Sequence, residues 1–380
     1  MRSTSFVLSA LALAVLSSAA AAAPAQYVIS ISVDGMGSTY FSALTATNSL
    51  PNMQTMIAQG ATTVNARTDA GVAVTLPSHT GMVTGRPMND YTGIAGHTWT
   101  LNDYPDGSYT TLAMKRGLST TPAASAYVAS VFDVAHDNGL KTGMWATKSK
   151  FALFTTSYNT TNGAANANGK NKLDTGYVVN GASAATMASA FITSMNASPT
   201  NFSFLHFQDP DAAGHGSSWG SAVYNTAVMN VDAQIGNIMT MVNNSVTLKG
   251  KTTIIVTADH GGTGTGHGAY DANGLLATAA DYTIPFLVWG AGVTQGDIYA
   301  MNAGTLQSPQ TTGGEGGMPQ YTGTQPIRNG DLGNLSLKML GLGAIPGSTI
   351  GASQAIVVPE PTALAVMGLA FLGLARRRRA

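Results

Sequence analysis

The sequence predicts an α/β fold: a largely parallel central sheet with helices on both faces and loop or cap insertions. Three observations predict it. The runs Tyr27–Val33, Phe202–Phe207 and Thr252–Thr257 are short, rich in β-branched and aromatic residues and without helical period, as strands buried on both faces are. Stretches with an apolar helical face alternate with such runs, and strand–helix alternation builds parallel sheets. Each run is also followed closely by a polar cluster: Asp34-Gly35, then Asp211-Ala-Ala-Gly-His215, then Asp259-His260 with His267. In open α/β sheets, ligands bind beyond the carboxyl ends of the strands.

The remaining elements follow in order. Pro51–Ala58 reads as a helix and Gly60–Val64 as a returning strand. Pro77 suits the first turn of a helix, where its missing N–H costs nothing, and that helix is expected to reach about Thr84. Val128, Val131, Phe132 and Ala135 form one apolar helix face, ended by Gly139. Lys141–Ala146 reads as a strand, Ala184–Asn196 as a helix, and Val231, Ile235, Ile238 and Val242 as a second amphipathic face. Ile284–Trp289 is a further strand and Leu332–Leu340 a late helix. Residues 95–125, with Trp99, Tyr104 and Tyr109, read as an insertion over the site, and 155–181 and 292–328 as loops.

Both ends of the 380-residue chain differ from its body. Residues 1–25 carry Arg2, the apolar stretch Phe6–Leu16 and small residues at Ala19–Ala25, the pattern of a secretory signal peptide. At the other end, Val358-Pro359-Glu360-Pro361 leads into the apolar run Thr362–Ala375 and then Arg376–Arg379. That run is short for a permanent span, which needs about 20 residues. The body, 26–357, is expected to form one core with insertions. Removing Arg2 and Arg376–Arg379 takes Lys+Arg from 18 to 13, and removing Glu360 takes Asp+Glu from 18 to 17, so the body is near −4. No nucleic-acid-binding surface is indicated. The chain has no cysteine, which excludes disulfides, thiolate metal sites and cysteine nucleophiles.

The polar clusters carry the chemistry. Asp34-Gly35 alone is most often a turn, but Gly35 and Gly37 also let backbone approach a ligand. Thr75 reads equally as a helix cap or as a hydroxyl at an anion-attracting helix start. An Asp-Pro turn explains Asp209 but not Asp211 with His215 in a Gly/Ser-rich loop, where ligation is the better account. Asp259-His260 is the strongest local signal, and the Gly-rich link lets His267 fold back. His136 reads as a helix-end residue and His206 as a satisfied core residue, while His79 and His97 lack a carboxylate at ligand spacing. Three carboxylates and three imidazoles are the donor set of zinc, and six suit two ions better than one.

With these pieces together the chain resembles the alkaline phosphatase superfamily, and within it the type I phosphodiesterase/nucleotide pyrophosphatase branch. The resemblance rests on Asp34-Gly35, Thr75-Leu-Pro-Ser-His-Thr-Gly-Met-Val-Thr-Gly85, Gly93-Ile94, Asp211-Ala-Ala-Gly-His215 and Asp259-His260-Gly261, in the family's order. It implies a two-zinc phosphoric ester hydrolase, with one ion held by Asp34, Thr75, Asp259 and His260 and the other by Asp211, His215 and His267. It also implies Thr75 as nucleophile, a phosphothreonine intermediate, and phosphate contact at Ser78, where relatives usually carry Asn. His267 stands close to His260, whereas relatives place their last ligand far downstream; Thr92 replaces a common His. The tail is similar to the PEP-CTERM sorting signal of Gram-negative bacteria, which implies Sec export, transient inner-membrane association, removal of the tail by an exosortase, and a cell-surface or matrix location. Three alternatives stand beside the phosphodiesterase reading. One is a phosphomonoesterase. Another is a serine esterase at Ser218, since Gly216-Ser-Ser218-Trp-Gly220 fits a nucleophile elbow. The third is a non-catalytic surface or matrix protein.

Overall fold

A computed structural model of the chain describes residues 25–68, 73–87, 102, 115–116, 126–268, 278–309 and 324–358. The expected signal peptide up to residue 24, nearly all of the sorting tail and most of the expected 95–125 insertion, including His97 and its aromatics, lie outside the described residues. The strands are β1 (Tyr27–Val33), β2 (Ala61–Arg67), β3 (Lys115–Arg116), β4 (Ala126–Tyr127), β5 (Thr142–Ala146), β6 (Thr175–Val178), β7 (Phe202–Phe207), β8 (Thr252–Thr257), β9 (Thr283–Gly290) and β10 (Gly296–Asp297). The helices are α1 (Ser38–Ala46), α2 (Pro51–Gln59), α3 (Thr75–Thr84), α4 (Val131–Asp137), α5 (Ala152–Ser157), α6 (Ala184–Ala197), α7 (Asp209–Ser217), α8 (Ala222–Asn244), α9 (Ala279–Tyr282), α10 (Ile298–Met301) and α11 (Asp331–Met339).

Eight strands form one sheet in the order β10-β2-β9-β8-β1-β7-β5-β6; β3 and β4 form a separate pair. From β8 through β1, β7 and β5 to β6 every pairing is parallel, while β9 runs antiparallel to both β8 and β2. The register explains the convergence of the polar clusters. Val33 lies opposite Phe207, and Ser32 opposite Thr257, so the chain leaves all three strands at one edge. Asp34 follows at once, Asp259 two residues after Thr257, and Asp211 four after Phe207.

Period-two alternation divides β1 between two layers. Ser30 Oγ meets Ser336 Oγ of α11 at 2.9 Å and Ser32 Oγ meets His79 Nε2 of α3 at 2.8 Å. Ile29, Ile31 and Val33 therefore face the other layer, and all three are fully buried. Each contributes roughly 1.5–3 kcal/mol by leaving water. α11 packs on α3 and α4 in one layer; α8 packs on α2, α6 and α7 in the other.

Four expectations are corrected. Asp211 and His215 lie on a helix, α7, and not in a loop, because Pro210 sits in its first turn and starts it. Thr75 is the first helical residue and not the cap; Val74 takes the cap position without a side-chain bond. The loop expected at 155–181 contains the end of α5 and edge strand β6, and the one at 292–328 contains β10 and α10. α1 escaped notice because Ser/Thr-rich Ser38–Ala46 buries only Ser38, Phe41 and Leu44.

α2 has no acceptor of its own at Leu50, its N-cap. Asp232 of α8 supplies one across the interface. Its Oδ1 accepts from Met53 N at 2.7 Å, and its Oδ2 from Asn52 N at 3.2 Å and Asn52 Nδ2 at 2.8 Å. Asp232→Ala is expected to destabilise the protein by about 1–3 kcal/mol, the range for losing a charged cap whose donors stay buried. Urea unfolding checks this: the midpoint should fall at unchanged slope, and an unmoved midpoint would show that the cap is redundant.

Candidate active site

Asp34, the residue after β1, is fully buried. Its Oδ2 accepts from Lys148 Nζ at 2.6 Å and from His206 Nε2 at 2.9 Å. Its Oδ1 has no hydrogen-bond partner and lies 3.4 Å from His260 Nε2. Burial raises this carboxyl's pKa, but the Lys148 ammonium together with His206 and His260 outweighs it and holds the group well below the usual carboxylate range. Gly35 then turns with φ +74°, and a Cβ there would come within 3.0 Å of the Asp211 Cα. Only glycine combines that backbone with so close an approach. Its N–H donates to Asp259 Oδ1 at 3.0 Å, tying the first cluster to the third.

Asp259 Oδ1 also accepts from His260 N at 2.9 Å, while Oδ2 is unpartnered, 3.3 Å from His260 Nε2 and 3.6 Å from His79 Nδ1. Burial and the nearby Asp34 charge push the Asp259 pKa well up. Asp211 Oδ2 accepts from Lys148 Nζ at 2.7 Å. Its Oδ1 is unpartnered and faces His215 Nε2 at 3.4 Å, His267 Nε2 at 3.5 Å and His260 Nε2 at 3.9 Å.

The histidines separate by how their two nitrogens are used. His215, His260 and His267 each place Nδ1 on a backbone carbonyl, of Thr265 at 2.9 Å, Gly261 at 2.8 Å and Ala73 at 2.8 Å. A carbonyl accepts only, so Nδ1 carries the proton and Nε2 is left toward the carboxylates. A backbone carbonyl behind Nδ1 is the usual support of a metal-ligating imidazole. His79 and His206 have both nitrogens occupied, His79 by Thr75 O and Ser32 Oγ, His206 by Thr147 Oγ1 and Asp34 Oδ2. His206 is thus a satisfied buried residue, as expected, but it also steadies Asp34.

Could these residues hold a cation? Asp34, Asp259 and His260 offer ligand atoms within 4.8 Å of one another, as do Asp211, His260 and His267. His215 Nε2 and His267 Nε2 approach to 3.1 Å. Burial and the neighbouring His260 push the His267 pKa down to about 3, whereas the nearby Asp211 carboxylate raises that of His215. Asp34 Oδ1, Asp211 Oδ1, Asp259 Oδ2 and His260 Nε2 are buried without a hydrogen-bond partner. Buried polar atoms without partners are costly, and four converging ones fit a charged ligand. The donor set suits zinc.

Thr75 is 1% exposed, and its Oγ1 accepts from Lys148 Nζ at 3.2 Å. Ser78, one turn on, is buried with Oγ unpartnered. Asn102 accepts from Leu76 N at 3.0 Å at the same helix start. Ser218, the esterase candidate, follows helix α7 and not a strand, so no nucleophile elbow forms.

Lys148 is the residue that sequence reading missed. β5 neighbours β7, with Trp145 opposite Leu205, so Lys148 leaves the same sheet edge three residues later. Attention to strand ends carrying Asp and His passed over a fourth strand end carrying a lysine.

The structure thus presents a carboxylate–imidazole centre at the carboxyl edge of the mostly parallel sheet of an α/β protein. The chain belongs to the type I phosphodiesterase / nucleotide pyrophosphatase family, whose model matches residues 28–306, and residues 357–379 match the PEP-CTERM protein-sorting motif. Solved structures share the fold. An alkaline phosphatase superfamily member from Vibrio parahaemolyticus is similar with a TM-score of 0.54 at 13% identity, over 88% of this chain and 70% of that one. Murine ectonucleotide pyrophosphatase / phosphodiesterase 5, as an inactive form in complex with AMP, gives 0.55 at 14% identity, over 84% and 96%. The lipoteichoic acid synthase LtaP from Listeria monocytogenes gives 0.55 at 10% identity, over 88% and 76%. A stretch of 91 residues is 36% identical to human GPI ethanolamine phosphate transferase 1; it takes in 24% of this chain, which spans 9% of that protein's length. Family and fold together support a phosphoester hydrolase, and the tail motif points to export and surface sorting in a Gram-negative bacterium. Among the described residues no helix is long and apolar enough to cross a membrane.

Lys148→Met, in the cation-stripped protein, would leave Asp34 and Asp211 without the ammonium that bridges them. The expected loss is about 3–5 kcal/mol, as for removing one partner of a buried ion pair. Urea unfolding after chelation measures it; a loss below about 1 kcal/mol would show that these carboxylates do not depend on Lys148.

Proposed function

We propose that the chain is an exported phosphodiesterase that holds two divalent cations, zinc by its donor set, and acts through Thr75. The observation that carries the reading is the convergence of four unpartnered buried ligand atoms beside a helix-start hydroxyl. Asp34, Thr75, Asp259 and His260 would hold one ion; Asp211, His215 and His267 the other. Such ions, when bound, supply Lewis acidity at phosphoryl oxygens and favour the ionised form of a hydroxyl.

The chain's own residues do the rest. The start of α3 fixes the Thr75 oxygen and presents a positive dipole end to an anion. Thr75 Oγ1 attacks phosphorus in line, the bond to the leaving alkoxide breaks, and water hydrolyses the phosphothreonine in a second displacement. Lys148, donating to Oγ1, lowers the cost of negative charge there. Ser78 has a free hydroxyl one turn away for a phosphoryl oxygen. Lys148 also favours a second reading, a phosphomonoesterase, since an extra cation beside the nucleophile matches a dianion better than a monoanion.

Assays of bis-p-nitrophenyl phosphate and p-nitrophenyl phosphate side by side decide between the readings; the phosphodiesterase reading expects the diester to be preferred. Thr75→Ala should lower turnover by at least about 100-fold, the scale of losing an activated nucleophile's stabilisation, and abolish acid-trapped phosphothreonine. Full turnover of that variant would overturn the covalent route.

Cation uptake should depend on pH. Burial lowers the His260 pKa, but Asp259, Asp34 and Asp211 outweigh it and hold the imidazole at about 9. A cation must displace that proton, so uptake near pH 7 should release a proton and apparent affinity should rise with pH until about 9. Chelator competition across that range checks it, and a flat profile would remove His260 from the ligand set.

A further inference from the structure

Trp219 stands where the three clusters meet. Its Nε1–H donates to Gly35 O at 2.8 Å, fixing the turn that follows Asp34. Its backbone N–H donates to Gly264 O at 2.7 Å, holding the loop between His260 and His267. Its indole fills the space a Cβ would need at two glycines: at Gly214, between Asp211 and His215, ring atoms lie 2.5 Å from the Cβ position, and at Gly262, beside His260, 2.3 Å. The ring also meets the imidazoles of His215 and His267 edge-on, with centroids at 5.1 and 5.7 Å. The side chain is 5% exposed.

These contacts all reach stretches that carry proposed ligands, and two of the three clusters approach the indole through a glycine. Helix α7 and the 260–267 loop also meet through His215 Nδ1 and the Thr265 carbonyl at 2.9 Å, and the distance between them sets the spacing of Asp211 and His215 from His267. We propose that Trp219 is a positioning residue for the cation pair: the indole acts as a spacer that sets the distance between α7 and the histidine loop, with its N–H locking that spacing to the Asp34–Gly35 turn. The proposal rests on the two-cation reading above. It assigns Trp219 no contact with substrate. Tyr224, whose hydroxyl donates to the same Gly35 carbonyl at 2.9 Å, can hold the turn when the indole N–H is lost but cannot fill the space at Gly214 and Gly262.

The test is zinc affinity by chelator competition on the full chain, for the native protein, Trp219→Phe and Trp219→Leu, with thermal unfolding of each cation-stripped protein alongside. Trp219→Leu should bind zinc at least about 10-fold more weakly, the low end for losing an outer support of a metal site. Trp219→Phe, which keeps a ring and loses the N–H, should fall between. At saturating zinc, kcat of both should recover toward the native value. A merely structural role predicts lower unfolding temperatures for the variants with zinc affinity unmoved, and that result would overturn the proposal. If Trp219→Leu fails to fold, Trp219→Phe decides, because its smaller ring underfills the space at Gly214 and Gly262: native affinity there would overturn the spacer. A native protein that binds no zinc would overturn the two-cation reading and this role with it; a native protein that binds zinc no more tightly than Trp219→Leu would overturn the spacer alone.

Discussion

Everything in the site depends on like charges forced together. Parallel pairing in one register brings the ends of β8, β1 and β7 to a single edge, and Asp34, Asp211 and Asp259 arrive there with little water. Carboxylates so placed repel one another and lose hydration, so the cluster persists only with positive charge inside it. Lys148 supplies some, reaching both Asp34 and Asp211, and protonated His260 supplies more. These charges leave four buried atoms without partners, which the proposed cations would satisfy. The same demand explains the local glycines: Gly35 permits the contact with Asp211, and Gly214 and Gly262 make room for the indole that separates their elements.

Much of the fold was legible because the central strands are buried on both faces and so read as unbroken apolar runs. β1, β7 and β8 appear at the predicted bounds, and β5 and β9 within one residue of them. What escaped is what burial does not write into sequence. Edge strand β6, Thr175–Val178, is half exposed and has no apolar pattern. Helix α7 is short, with three glycines or alanines between its ligand-spaced Asp211 and His215, so it read as loop.

The site was legible to the extent that it uses Asp and His. His215, His260 and His267, the proposed ligands, leave Nε2 toward the carboxylates, whereas His79 and His206 spend both nitrogens on the fold. Lys148 and Trp219 were not legible as site residues. A single lysine two residues past a strand has no motif of its own, and Trp219 matters through contacts 184 residues away in the chain at Gly35. Thr75 looked like a cap because caps and helix-start hydroxyls share residue types; its bond to Lys148, not to a backbone N–H, separates the two.

The most direct test of the account is anomalous diffraction at the zinc edge from crystals of the zinc-loaded protein. The account predicts two peaks, one among Asp34, Thr75, Asp259 and His260 and the other among Asp211, His215 and His267, with Lys148 moved away from at least one of the carboxylates it now bridges. A single peak, or peaks remote from these residues with the Lys148 bridge intact, would contradict it.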